Sequence, residues 1–317
     1  MAKLRRIDSE MVRRKLAPSR TKAQELIHAG YVKLDGEVVT KPARQMDPAQ
    51  ALLIDQESDP NYASRGAYKL AGALEILGDL APQIRGKRCL DAGASTGGFT
   101  DVLLRAGAAS VVAVDVGYGQ LIWRLQSDPR VEVKDRTNVR YLQPEDVAPA
   151  PVIVVSDLSF ISLTLVLPAL RRSAAPNADF LLMVKPQFEV GKDKLGAGGV
   201  VRDTALHHFA IRQVLDAAFE LGLSPYALAA SPLPGPAGNV EYFVALKHDH
   251  EDAIAREDWD NRIDQAIAAG PAGDAMGDPG FDNTGSTNAQ NAAQSAAGSE
   301  ADRATTQSST PRNEDNK

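Results

Sequence analysis

Residues 89–104 read CLDAGASTGGFTDVLL and carry a strand, a loop and a helix in sixteen residues. An apolar run closes on Asp91; Gly93 and the pair Gly97-Gly98 then permit a tight turn with close backbone approach, and Phe99 to Leu104 open a helix. The next β-rich run, VVAVD at 111–115, ends in Asp115, 24 residues after Asp91. An acid at that place in an α/β fold hydrogen-bonds ribose hydroxyls. Glycine loop plus acid suits a dinucleotide or an adenosyl cofactor. Two details favour the adenosyl group. The loop is Asp-x-Gly-x-Ser-x-Gly-Gly rather than Gly-x-Gly-x-x-Gly, and an acid at the strand end suits a methionine amine more than a pyrophosphate.

Outward from this loop, residues 63–247 alternate β-rich runs with helical patterns, the signature of a doubly wound α/β domain. Strands are expected at 87–91, 111–115, 131–134, 152–156, 180–185, 224–230 and 240–246. Helices are expected near 65–78, 98–106, 118–126, 162–175 and 203–222. The last strand follows a long loop and looks antiparallel, as in adenosylmethionine-dependent enzymes. Cys89, inside the first strand, reads as a small core residue.

The chain has 317 residues, 44% hydrophobic and 24% charged, enough for about two domains. No apolar run reaches the ~20 residues of a membrane span. The basic, amphipathic start has no signal-peptide core, so secretion is not expected. A single cysteine fits a reducing cytoplasm, and five scattered histidines do not suggest a metal site. His207, His208, His248 and His250 are expected at the surface.

Net charge is −6, but its distribution is uneven. Residues 1–22 hold eight Lys and Arg against Asp8 and Glu10, a net of +6. Residues 272–317 carry a net of −4 and contain no Val, Ile or Leu, so this tail is expected to be disordered. Local clusters rather than the total attract phosphates. Composition therefore divides the chain into 1–55, a polar linker at 56–62, an α/β domain at 63–271 that ends in a short charged helix near 251–269, and the tail 272–317.

In the first segment Asp8 or Ser9 can cap a helix carrying Met11, Val12 and Leu16, and Ser19 can cap a second that ends at Gly30. YVKLDGEVV, 31–39, alternates around Asp35-Gly36 as a hairpin, and ALLI closes a small sheet at Ile54. The order of these pieces, with Ser19-Arg20, Leu26-Ile27, Asp35-Gly36 and Lys41-Pro42, resembles the small RNA-binding fold first recognised in ribosomal protein S-four. That resemblance implies that this end holds structured RNA through phosphates and shape. The residues expected to do so are Arg5, Arg6, Arg13, Arg14, Arg20, Lys22 and Lys41. Arg65 and Arg136 suit either RNA phosphate or a salt bridge.

Four charges sit where an α/β sheet does not need them. FLLMV, 180–184, runs straight into Lys185, and Pro186 forbids continuation of the ladder. Burying an ammonium costs several kcal/mol unless it is paired. Asp157 follows the buried strand VIVVS, Lys69 lies just inside the helix of SRGAYKL, and Glu241 opens the last strand in GNVEYF. In open α/β sheets ligands bind outside the carboxyl ends of the strands, so the four can meet on one rim. A structural ion network would use the same residues.

Together these four resemble the Lys–Asp–Lys–Glu tetrad of the FtsJ-like ribose 2′-O-methyltransferases. With the RNA-binding module ahead of it, the chain resembles the TlyA family of ribosomal RNA cytidine-2′-O-methyltransferases, also labelled hemolysins. The matching runs extend from about Arg5 to Lys247 and include LDAGASTGGFTDVLL, DVGYGQL, SDLSFISL, VKPQFEVGK and SPLPGPAGNVEYF. One stretch departs: actinobacterial members carry Arg-x-Trp-Val between the domains, where this chain has PNYA.

The resemblance implies a Rossmann-like S-adenosylmethionine-dependent domain behind a small α/β S-four-like one, acting in the cytoplasm as a monomer on ribosomal RNA in ribosomal subunits, without stable membrane association. Lys185 would take the 2′-hydroxyl proton, Lys69 would steady the oxyanion, and Asp157 and Glu241 would position the lysines. Asp91, Gly93, Ser95, Gly97, Gly98 and Asp157 would surround the methionine, Asp115 the ribose and Asp135 the adenine edge. Phe160 would either stack on an extruded nucleotide or fill the core. The basic helix 8–16 resembles the longer form of the family, which acts on both subunits. A non-catalytic assembly factor, a membrane-lytic protein and an NAD-linked oxidoreductase are the competing classes. The tetrad, the absence of a spanning segment and the loop spelling weigh against them in turn.

Overall fold

The structure, a computed structural model, describes residues 4–28, 30–54, 61–235, 237–270 and 272. Most of the expected linker 56–62, Pro60 of PNYA, and the expected disordered tail after Ala272 lie outside the described residues.

The N-terminal domain runs β1 (Arg5–Arg6), α1 (Ile7–Arg13), α2 (Arg20–His28), β2 (Val32–Leu34), β3 (Glu37–Val38), β4 (Gln45–Met46) and β5 (Leu52–Ile54). β3, β2 and β5 form an antiparallel sheet, turned at Asp35 (φ 49°) and Gly36 (φ 89°), the left-handed pair a two-residue hairpin requires. Ile7, Met11, Ile27, Val32 and Met46 fill its core. Ser19 caps α2 as expected, its Oγ accepting from Lys22 N–H at 3.2 Å. Neither Asp8 nor Ser9 caps α1, whose first flanking residue is Arg6. Asp8 instead lies fully buried in the first turn and accepts from Arg6, Arg20 and Gln24, clamping α1 to α2. The ladder of β1 with β4, two residues a side, is too short to leave a periodic signal.

The larger domain contains α3 (Gly66–Leu77), β6 (Arg88–Ala92), α4 (Gly98–Arg105), β7 (Ser110–Val114), α5 (Trp123–Gln126), β8 (Val131–Lys134), β9 (Ile153–Ser156), α6 (Leu163–Ser173), β10 (Asp179–Val184), α7 (Pro186–Glu189), α8 (Thr204–Phe219), β11 (Ser224–Ala230), β12 (Tyr242–Lys247) and α9 (Trp259–Ala268). Seven strands order as β11-β12-β10-β9-β6-β7-β8, with β12 antiparallel to both neighbours. The expected doubly wound sheet and its antiparallel closing strand are both present. Alternation sends Leu90, Val112, Val154 and Leu182 to a core with α6 and α8, and Cys89, Val111, Val155 and Met183 to one with α3 and α4. The strand order reverses between β6 and β9, so their carboxyl ends open a crevice.

Three expectations need correction. The helix expected at 118–126 is confined to Trp123–Gln126. Gly117 and Gly119 keep the preceding residues in a loop, and their N–H groups go to Asp115 and Asp135. The charged helix near 251–269 begins only at Trp259, after a 3₁₀ turn. His207 is buried, not exposed: Nε2 donates to Val201 O at 3.0 Å, which leaves Nδ1 to accept from the Tyr242 hydroxyl at 2.7 Å. That pairing requires the neutral ring, and burial accordingly lowers the His207 pKa.

Candidate active site

Each tetrad residue reaches the rim by a local device. Lys69 sits in the first turns of α3, buried. Asp157 follows β9, whose pairing with β6 and β10 fixes where the loop begins. Lys185 follows β10, and Pro186 starts α7 at the one helical position where a missing N–H costs nothing. Glu189, in α7, accepts from Ser162 Oγ at 2.5 Å and Leu163 N–H at 2.8 Å, which ties the segment after Lys185 to α6. Glu241 immediately precedes β12. It approaches the Pro234-Gly235 loop so closely that a Cβ on Gly235 would lie 2.7 Å from its Oε1. Arg65 donates to Pro234 O at 3.0 Å and holds that loop against α3.

The four charges converge. Lys69 Nζ is 2.5 Å from Glu241 Oε2, Lys185 Nζ is 2.6 Å from Asp157 Oδ1, and Lys185 Nζ is 3.9 Å from Glu241 Oε1. Glu241 is the shared carboxylate, and Ser159 Oγ accepts from Lys185 at 3.2 Å. Two lysines and two carboxylates balance in charge, which is what makes their burial tolerable.

A cleft of about 320 Å³ opens on this group, within the range of small-ligand pockets. Lys69, Asp157 and Lys185 line it together with Gly93, Ser95 and Gly98 of the glycine loop. The loop is a cradle with no room for side chains. Gly93 (φ +91°) would bring a Cβ to 2.9 Å from Asp157 O, and a Cβ on Gly98 would lie 2.9 Å from Ala67 N and collide with Ser64 Oγ. These features fit an amino-acid-bearing adenosyl cofactor: bare backbone at the turn, and carboxylate and hydroxyl groups around it.

Not every expected cofactor residue faces the cleft. Gly97 (φ +100°) backs onto Leu121 and Leu125 and serves the turn. Asp91 is fully buried beneath the loop, where Thr100 Oγ1 donates to Oδ2 at 2.7 Å. Burial raises its pKa to about 7. Asp115 and Asp135 stand past the cleft at the ends of β7 and β8. Asp115 accepts from the N–H groups of Ser95 and Gly117 at 2.8 and 2.7 Å, and Asp135 from Gly119 N–H at 2.9 Å. Both retain lone pairs for further donors. Phe160 is not core: it is 92% exposed at φ 65°, with the Phe188 ring 5.3 Å away.

The basic residues are more engaged than the sequence suggests. Arg6 and Arg20 pair with Asp8, and Arg13 and Arg14 with the equally buried Glu10, with Arg5 3.9 Å from Glu10. The Arg13 guanidinium, opposed by burial and aided by Arg14, holds Glu10 at about 2. Five arginines around two acids still leave a positive surface. Lys22 lies 3.9 Å from Glu25, Lys41 is exposed, and Arg136 stacks over Tyr118 at 4.2 Å. Sequence reasoning missed Ser64, Ser159, Pro234 and Glu25, all of which line the cleft. Ser64 and Ser159 lie inside motifs already singled out, SRGAYKL and SDLSFISL; Glu25 belongs to α2 of the other domain and had no signal.

Comparison with known proteins gives matches over both parts of the chain. An FtsJ-like methyltransferase family model matches residues 62–248, and an S4 domain model matches residues 5–50. The chain is 51% identical over 271 residues to the 16S/23S rRNA (cytidine-2′-O)-methyltransferase TlyA of Mycobacterium tuberculosis, covering 86% of this chain and 100% of that one. It is 35% identical to Hemolysin A of Brachyspira hyodysenteriae, covering 71% of this chain and 92% of that one. A solved structure of a hemolysin-named protein from Streptococcus thermophilus superposes with a TM-score of 0.63 at 34% identity, covering 85% of this chain and 98% of that one.

Proposed function

The chain belongs to the TlyA family of FtsJ-like methyltransferases that carry an S4 domain, and from that premise we propose how its residues methylate the 2′-hydroxyl of a cytidine ribose in 16S and 23S ribosomal RNA. The observation that carries the reading is the meeting of Lys69, Glu241, Lys185 and Asp157 at the mouth of the glycine-loop cleft. S-adenosylmethionine would supply an electrophilic methyl on a sulfonium, its sulfur becoming a neutral thioether on transfer. Gly93, Ser95, Gly98 and Asp157 would hold its methionine end, and Asp115 and Asp135 its ribose and adenine.

A ribose hydroxyl is a very weak acid, so the protein must supply alignment and a place for the proton. Lys185 Nζ takes that proton after giving up its own to solvent, so that it acts as a neutral amine at the moment of attack. The ammonium so formed is received by Asp157 at 2.6 Å and by Glu241 at 3.9 Å. Lys69, held by Glu241, faces the developing oxyanion. Phe160 and Phe188 offer a stacking face to the nucleotide drawn out of its helix. The N-terminal domain, with Arg5, Arg6, Arg13, Arg14, Arg20, Lys22 and Lys41, grips ribosomal RNA by its phosphates, and Arg65 and Arg136 extend that contact toward the cleft. The protein acts as a monomer in the cytoplasm.

The test is transfer of tritium from methyl-labelled S-adenosylmethionine to purified small and large ribosomal subunits, followed by nuclease mapping. Label is expected at one discrete site in each RNA. Binding of subunits without any transfer would make the protein an assembly factor and overturn the reading.

A further inference from the structure

Glu25 lies on α2 of the RNA-binding domain, yet it lines the cleft of the other domain. Its side chain is 20% exposed, and Lys22 Nζ lies 3.9 Å from its carboxylate. The two domains touch alongside it, where Tyr31 meets Tyr68 of α3 with ring centroids 6.2 Å apart. Nothing in the methyl-transfer chemistry described above uses this carboxylate.

The charges that line the cleft are Arg65, Lys69 and Lys185 against Glu25 and Asp157, with Glu241 behind the lysines. Glu25 is thus one of three acids grouped about the lysines, and Lys22 lies beside it on the side of the RNA-binding domain. The methyl donor has a sulfonium, an ammonium and a carboxylate, a net of +1. After transfer the sulfur is a neutral thioether and the molecule has no net charge. A carboxylate on the cleft wall therefore favours the donor over the spent cofactor, and removing one weakens that preference.

We propose that Glu25 is a cofactor-selecting residue, a carboxylate lent by the RNA-binding domain that favours the cationic donor over its neutral product. The proposal rests on the methyltransferase reading. Removing one unit charge from the wall of a half-open site changes the affinity for a cation by about 3- to 10-fold. The preference for donor over product then depends on the N-terminal domain being seated against α3, so RNA that engages this domain also acts on the cofactor site.

The experiment is calorimetric titration of the full-length protein and its Glu25→Gln variant with S-adenosylmethionine and, separately, S-adenosylhomocysteine. The variant is expected to bind the donor about 3- to 10-fold more weakly and the product less than about twofold differently, with Glu25→Asp restoring the preference. Equal weakening of both ligands, or no change in either, overturns the inference while leaving the methyltransferase reading intact. A wild-type protein that binds neither ligand overturns that reading and the inference with it.

Discussion

Lys185→Met lowers methyl transfer by about 10²–10⁴-fold, the contribution expected of a positioned base, while leaving binding of ribosomal RNA unchanged. Methionine keeps the length and the apolar stem of lysine, so the segment between β10 and α7 can hold its course. What disappears is the amine 2.6 Å from Asp157. Lys185→Arg separates two explanations. Arginine keeps the positive charge and the pairing with Asp157 but does not release its proton, so it is expected to be as inactive as methionine. The check is single-turnover transfer to purified subunits, alongside RNA binding and a thermal melt. Near wild-type rates in Lys185→Arg would reduce this lysine to an electrostatic role; near wild-type rates in Lys185→Met would remove it from the chemistry.

Glu241→Gln is expected to damage stability and activity together. Its two oxygens face Lys69 at 2.5 Å and Lys185 at 3.9 Å, and both lysines are buried. Glutamine leaves Lys69 without a negative partner, a loss of about 3 kcal/mol for a buried pair broken on one side. In a protein of this size that lowers Tm by about 6–12 °C. Removing both partners is a different matter, since a buried pair replaced as a whole is often neutral. The double variant Lys69→Met with Glu241→Gln should therefore regain most of the lost Tm and none of the lost activity. A double variant that melts lower than Glu241→Gln alone would mean that the two side chains are not a coupled pair.

How far the sequence reveals this molecule depends on the distance over which each feature is encoded. The glycine loop was legible because strand, turn and helix fall within sixteen residues, and the collision of any Cβ at Gly98 with Ser64 accounts for its spelling. Lys185 was conspicuous because a charge after five apolar residues is costly. Its partners lie 28 residues before it and 56 after it, and only the resemblance to a family joined them. Asp91 looked like a ligand residue by position, but whether a strand-end acid faces the cleft or the core is settled by the packing of α4. Asp8 illustrates the same limit: next to a helix start it reads as a cap, whereas the nearby arginines and Gln24 make it a buried clamp. The segment 118–126 misled because its apolar spacing is helical while Gly117 and Gly119 are committed to the carboxylates of Asp115 and Asp135. Glu25 could not be found at all, because nothing local records that α2 faces another domain's cleft.

The central claim is that Lys69, Asp157, Lys185 and Glu241 form one device for taking a proton from a ribose oxygen. The most direct measurement is nucleoside analysis of ribosomal RNA labelled by the wild-type protein. The account predicts that all of the label is recovered as 2′-O-methylcytidine, with the chain resistant to alkali at the modified position. Label that travels with the free base once the glycosidic bond is cut would contradict it.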